Sequence, residues 1–515
     1  MSISWGYSPK IEKYISLSDF PADRYLIIAK QVVENLGWKL SHISKTGLIA
    51  YTPISFQSYS EEISIRILNN FAVVKSECVG IQLLLNDYGK NDANLEKFFH
   101  EFEYAQYHLQ EIWPEKLREF HSLIVNQDDG YFDKAPLATK NKIKNVLYLF
   151  FPQKGYFVTP ILVVLNVLYY ALMFVVSMVY AAILVSGPAH SSGGDFTAEL
   201  QQMVLNFGVN NRNLVLEGQY WRLFSYQFIH GSLWHLFFNM YALIYLGLMI
   251  ENKLGWKKFL FIYLLSGACG GLLSMSFHQM GIMIGASGAI MGLYGAFLAL
   301  LLNNFYEKYA RQSLLISTLC VILYVLINGA FSKRIDNAAH IGGFAAGFAF
   351  CYIFTFKNNK FVWLKPVWRY GISSFLFLLL SAGALYFSPK YETEEFYKLK
   401  NDFNNNLMSF NGLMYLEISL NKAEKLHIIN SQGIIPAKRN IQITKQMQAL
   451  TLKPIDAFDR EKKAEIARKS YRAAVLMYRD VQQDSVTKYS KATSKEISDV
   501  VILSYKLSDT LSKMH

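Results

Sequence analysis

Seven apolar stretches constrain this chain more than any other feature, because each approaches or exceeds the roughly 20 residues a helix needs to cross a bilayer. They lie at about 157–186, 232–250, 258–277, 283–303, 312–331, 337–356 and 368–388. In hydrocarbon every backbone N–H and C=O must be satisfied internally, so such stretches fold as helices. Only 17% of the 515 residues are charged, against about a quarter in an ordinary soluble protein. The net charge of +12 comes mainly from Lys and Arg flanking apolar runs. That pattern reads as anchoring beside membrane spans and excludes a nucleic-acid surface. A multi-pass α-helical membrane protein is expected, with a bacterial inner (plasma) membrane as its location.

Positive charge orients the spans. The second-to-third connection carries Lys253, Lys257 and Lys258, the fourth-to-fifth Lys308 and Arg311, and the sixth-to-seventh Lys357, Lys360, Lys365 and Arg369. These loops are expected in the cytoplasm. So is the N-terminal segment, whose first residues lack a basic-then-apolar signal layout. Residues 187–231 and 389–515 then lie outside. The basic stretch Ser332-Lys333-Arg334-Ile335-Asp336 is a local exception to the rule.

Residues 1–150 read as a small soluble α+β domain. Tyr25, Ile28, Val32, Val33 and Leu36 recur at helical spacing over 20–36. Alternation near 47–53, 61–68 and 71–79 predicts strands, with a tight turn at Asn69-Asn70. A second helix over 93–110 carries Phe98, Phe99, Phe102, Tyr104 and Tyr107. His100-Glu101 lacks the second histidine of a zinc-protease helix, so no chemistry is read there. After Lys140, Lys142 and Lys144 come a six-span core at 151–360, a seventh span at 361–388 and a charged helical region at 389–515. That last region, with a helix expected over 456–482 (Ile466, Ala473, Leu476, Met477), reads as a solvated interaction module.

The orientation has a chemical consequence. The second, fourth and sixth spans all run from outside to inside. His235 and Asn239 begin the second, Ser287 the fourth and His340 the sixth, all within about ten ångströms of the outer ends at 1.5 Å per residue. Gly288, Gly292 and Gly295 on one helix and Gly343 and Gly347 on another supply the small faces that let backbones approach in lipid. Such an approach is needed, since a serine hydroxyl must come within about 3 Å of an imidazole nitrogen to lose its proton. Each residue also has a plainer role open to it. Gly285-Ala286-Ser287-Gly288 could be packing alone, His340 could pin helices through a carbonyl, and His235 and Asn239 could line a polar cavity. A metal set of His230, His235 and His340 lacks a carboxylate or cysteine at ligand spacing. The four cysteines (Cys78, Cys269, Cys320, Cys351) form neither a metal pattern nor a disulfide framework. The coincidence at one depth points to a nucleophile and base held inside the membrane.

Over about 155–356 the chain resembles the rhomboid intramembrane serine proteases. The resemblance rests on Trp221-Arg222, His235 with Asn239, the cradle around Ser287, His340 followed by Gly342-Gly343 and Gly347, and Glu251 at an acidic structural position. It implies a Ser287–His340 dyad without a third carboxylate. His235, Asn239 and the Ser287 N–H would stabilise the oxyanion. Trp221 and Arg222 would lie in an outer loop, with Tyr220, Phe224, Tyr226 and Phe228 as an interfacial aromatic belt. Met291 departs from the family, which often places an aromatic four positions after the serine. The implied function is a serine endopeptidase acting on membrane-anchored protein substrates in the lipid bilayer. No metal, organic cofactor or nucleic acid is involved. The alternative is a non-catalytic rhomboid-like protein that binds transmembrane clients. A transporter would call for internally repeated spans with broken helices at the midplane, and no repeat is visible.

Overall fold

The computed structural model describes residues 9–18, 20–55, 59–80, 86–127, 129–133, 149–186, 202–277, 282–332, 335–356, 366–416, 419–483 and 490–514. The chain divides into two compact units, Met1–Leu385 and Tyr386–His515.

The first unit begins with β1 (Lys10–Ser16), α1 (Ala22–Asn35), β2 (Lys39–Ser44), β3 (Gly47–Tyr51), β4 (Glu61–Leu68), β5 (Phe71–Cys78), α2 (Lys90–His108) and α3 (Trp113–Ile124). The strands form an antiparallel sheet in the order β1-β5-β4-β3-β2. Val32 and Val33 of α1 and Phe98 of α2 bury against Ile63, Ile65 and Val74 of the sheet, as their spacing predicted. Leu68 pairs with Phe71, so Asn69-Asn70 is a two-residue hairpin turn. Asn69 takes φ +54°, a left-handed conformation its short polar side chain tolerates. Strands β1 and β2 were not expected from the residue pattern. They are the two edges of the sheet, and β1 is largely exposed and rich in charge, so no apolar alternation marks it.

The apolar helices follow: α4 (Val158–Ser186), two short helices α5 (Arg212–Leu216) and α6 (Arg222–Ser225), then α7 (Leu233–Leu254), α8 (Trp256–Phe277), α9 (Ser287–Leu302), α10 (Lys308–Phe331), α11 (Asn337–Thr355) and α12 (Pro366–Tyr386). Six of them are long and apolar enough to cross a membrane, and α9 is not. Six of the seven expected spans, the C-terminal one included, thus reach crossing length, and the other is not confirmed. The shortfall lies in the fourth stretch, where Ile282–Met283 form a strand, β7, paired with β6 (Asn210–Asn211). Gly285 then turns the chain at φ +111°, and helix begins only at Ser287. Its 16 residues span about 24 Å. Helix α9 is buried along almost its whole length, with α7, α8 and α11 around it. Helices α4, α10 and α12 flank this centre and expose apolar side chains such as Leu168, Met178, Leu323, Phe331, Phe375 and Leu378. The basic residues expected at 140–144, at Lys333 and Arg334, and at Lys357, Lys360 and Lys365 lie outside the described residues.

Glu251 closes the end of this bundle where α7 finishes. Its carboxylate accepts from the backbone N–H groups of Phe157 (2.6 Å), Val158 (2.7 Å) and Thr159 (3.0 Å) and from Thr159 Oγ1 (2.7 Å). The first N–H groups of a helix have no partner within it and carry its positive end. Glu251 of α7 thus caps α4, a physical reason for an acid at this depth.

The second unit contains α13 (Thr393–Gly412), α14 (Lys422–Ile428), a π-helical turn at Ile429–Ile434, α15 (Ile435–Gln448), α16 (Pro454–Gln482) and α17 (Lys491–Met514). Helix α16 matches the helix read over 456–482 and starts on a proline, which suits a first helical turn. Ile466, Ala473 and Met477 face a core with Phe396, Phe403, Phe410 and Val500.

Candidate functional site

Helices α9 and α11 cross with almost no side-chain volume between them. A Cβ on Gly343 would lie 2.0 Å from the carbonyl oxygen of Gly288, and one on Gly347 would lie 1.9 Å from that of Gly292. One turn further along the same face of α9, a Cβ on Gly295 would meet Phe344 O of α11 at 2.1 Å. Backbone contact at these points brings the N-terminal turns of the two helices together. There His340 Nε2 lies 3.1 Å from Ser287 Oγ, within hydrogen-bond distance. His340 is buried, whereas Ser287 is only partly so, leaving the hydroxyl reachable. The other ring nitrogen of His340, Nδ1, is buried and has no hydrogen-bond partner among the described residues. No carboxylate orients the ring through that atom.

The third helix of the site is α7, begun by Ser232, whose hydroxyl accepts from His235 N at 3.2 Å. The His235 imidazole rests on Gly285: a Cβ there would lie 2.7 Å from both Cε1 and Nε2, and 3.6 Å from Asn239 Nδ2. Gly285 is thus required twice, for its positive φ and for the room it leaves His235. Asn239 Nδ2 also lies 3.0 Å from His230 Nε2, and the rings of His230 and His235 meet edge to face at 5.0 Å. All four residues singled out in the sequence therefore assemble in one place. His230 joins them as the hydrogen-bond partner of Asn239. Among the described residues, no three His, Cys, Asp or Glu side chains converge to hold a metal ion.

The loop before α7 builds a wall beside the site. Tyr226 O accepts from Gly285 N at 3.0 Å, and Tyr226 Oη donates to Gly267 O of α8 at 2.6 Å. Tyr226 is fully buried, so it does not belong to the interfacial belt expected from sequence. Tyr220 and Trp221 are half exposed, as a belt requires. Arg222 stacks on Trp221 at 4.6 Å. It donates from Nη1 to Leu205 O (2.7 Å) and Val209 O (3.1 Å) and from Nε to Gln219 Oε1 (2.7 Å). Its guanidinium ties the loop together from inside. Met291 is buried within α9 and fills the position where the family often has an aromatic.

Tyr226 and Asp336 are the site residues that the sequence misplaced or left unmarked, and His230, weighed there only within a metal set, is the partner of Asn239. Only His230 left a signal, five residues ahead of His235. Tyr226 bonds to the backbone of Gly267 and Gly285, and the Asp336 carboxylate to the Ser274 hydroxyl, partners far away in the chain that no spacing reveals.

Fold and site together define a multi-pass α-helical membrane protein with a serine and a histidine paired near one end of the bundle. The family described as Rhomboid domain matches residues 217–357, and this part of the chain is a rhomboid domain. It is 36% identical over 144 residues to RHOMBOID-like protein 1 of Arabidopsis thaliana, which covers 28% of this chain and 37% of that one. It is 34% identical over 196 residues to Rhomboid-like protease 2 of Toxoplasma gondii (38% of this chain, 66% of that one). Rhomboid-like protease 1 of the same organism is 31% identical over 172 residues (32% and 56%). The chain spans between about a third and a half of the length of the Arabidopsis relatives. These relatives are eukaryotic and give no support to the bacterial inner membrane expected above.

Proposed function

We propose that this chain is an intramembrane serine endopeptidase that hydrolyses peptide bonds in or near transmembrane segments of membrane-anchored proteins. The single observation that carries the reading is the 3.1 Å approach of His340 Nε2 to Ser287 Oγ between helices that belong to a membrane bundle. In this mechanism Ser287 Oγ attacks the scissile carbonyl carbon while His340 takes its proton. The tetrahedral oxyanion is met by the Ser287 N–H, left free at the first position of α9, and by Asn239 and His235 from α7. Collapse of the intermediate releases the amine, protonated by His340, and leaves an acyl-serine. Water, deprotonated by the same imidazole, then hydrolyses that ester. With no carboxylate on His340 Nδ1, ring orientation falls to packing and to the backbone that carries it.

A transmembrane helix hides its carbonyls in i→i−4 bonds, so segments weakened by glycine, proline or small polar residues are the substrates of choice. The partly exposed Ser287 and the polar ends of α7, α9 and α11 give water its route. Two relatives carry the word protease in their names, which supports the same reading. The test is incubation of the purified protein with a fluorescently tagged single-span substrate, beside Ser287→Ala. Cleavage by the parent alone supports the mechanism. Equal cleavage by both assigns it to a contaminant, and stable capture without cleavage by either makes the chain a client-binding member of the family.

A further inference from the structure

Asp336 precedes His340 by one helical turn and holds the first turn of α11 at three points. Its Oδ1 accepts from Ala339 N at 2.9 Å, its carbonyl oxygen accepts from His340 N at 3.1 Å, and its Oδ2 accepts from Ser274 Oγ of α8. One turn before Ser274, Gly270 lies directly beneath Ala339, where a Cβ would come within 2.7 Å of Ala339 O. Helix α8 therefore grips the start of α11 twice, by backbone packing and through the Asp336 carboxylate. Ser274 is buried and Asp336 partly so, which shields this bond in part from bulk water.

An imidazole without a partner on Nδ1 has its direction set by the helix turn from which it projects. We propose that Asp336 is the positioning residue for His340. It is an N-cap carboxylate that, through Ser274, fixes the rotation and axial register of the first turn of α11 and so keeps Nε2 within reach of Ser287. The carboxylate that a serine protease would place on the imidazole acts here on the imidazole's own backbone, one turn away. This inference rests on the protease reading for its catalytic effect. The geometric effect does not depend on it.

The catalytic arm compares kcat per active site, with sites counted by fluorophosphonate labelling of Ser287. A small misplacement of a reacting group costs on the order of 10²-fold. Asp336→Ala is accordingly expected to lower kcat by about 10- to 100-fold with KM unchanged, and Ser274→Ala to lower it less. Asp336→Asn keeps an acceptor for Ala339 N and an amide that can donate to Ser274 Oγ, so it should stay within several-fold of the parent. A cap that merely stabilises the fold would lower melting temperature and the number of labelled sites. It would leave kcat per site unchanged, and that result overturns the proposal.

The geometric arm needs no activity. In a chain with Ser287→Cys and His340→Cys and its four native cysteines replaced by serine, a short bifunctional thiol reagent reports how often positions 287 and 340 meet. Asp336→Ala should slow bridging several-fold and Asp336→Asn should not, and equal rates in all three backgrounds overturn the proposal. If the parent neither labels nor cleaves, the protease reading fails, and the bridging rates alone still decide the role of Asp336.

Discussion

Gly347 lies so close to Gly292 that a Cβ on the first would sit 1.9 Å from the carbonyl oxygen of the second. The same crossing, continued outward through Gly343 and Gly288, ends where His340 Nε2 and Ser287 Oγ stand 3.1 Å apart. Packing and site are thus one geometry, because the helices can present both side chains at hydrogen-bond distance only if their backbones touch.

Gly347→Val tests that link. The branched side chain would collide with a backbone carbonyl, which cannot swing aside as a flexible side chain can. We expect a loss of about 3 kcal/mol, the upper end for overpacking, together with loss of cleavage. Thermal melting in detergent and turnover of a tagged substrate check it, and parental values for both would contradict the close approach.

Ser287→Ala and His340→Ala should each abolish cleavage while the protein still folds, since neither substitution adds volume at the crossing. Melting temperature and fluorophosphonate labelling report the two halves of this expectation. Turnover by purified Ser287→Ala would end the serine mechanism.

Asn239→Ala should lower kcat more than it raises KM, because the oxyanion exists only beyond the ground state. One donor of three is lost, so the expected reduction is on the order of 10²-fold. A change confined to KM would instead assign Asn239 to substrate binding. Chelators should leave the parent unaffected, and inactivation reversed by zinc would restore the metal reading of His230, His235 and His340.

Glu251→Ala strips the N–H groups of Phe157, Val158 and Thr159 of their acceptor in a buried place. Bonds to a charged acceptor are the stronger kind, and the loss should be on the order of 2–4 kcal/mol. It should appear in thermal melting, with α4 loosening first. Unchanged melting would mean that solvent replaces the carboxylate without penalty.

If the short helix α9 crosses together with the six longer ones, the number of crossings is odd and the positive loops expect the two ends on opposite sides. In a cysteine-free background, a membrane-impermeant thiol reagent applied to intact cells should label a cysteine at exposed Ser490 and not one at exposed Ser122. Labelling of both or of neither would show that an even number of helices crosses, with α9 or α12 failing to span.

The sequence by itself determined a great deal here, for a physical reason. Lipid forces every spanning segment into a helix, so an apolar run of sufficient length fixes secondary structure with no tertiary information. An ionisable or catalytic side chain inside such a run stands out against it. Ser287, His340, His235 and Asn239 were all legible in this way, as were α1, the β4–β5 hairpin and α16 from their periodicity. The tertiary structure decided what depends on partners distant in the chain. It shortened the fourth helix, because β6 and β7 pair across the outer loop and Gly285 turns the chain before Ser287. Tyr226 became a buried strut and not a belt residue, because its hydroxyl finds Gly267 O on α8. The edge strands β1 and β2 formed with little apolar pattern of their own, and their neighbours in the sheet supply the hydrogen bonds. It also placed Asp336 and Ser274 behind His340 and His230 behind Asn239. A hydrogen bond between residues on different helices is set by how those helices cross, and no local spacing in the sequence encodes the crossing.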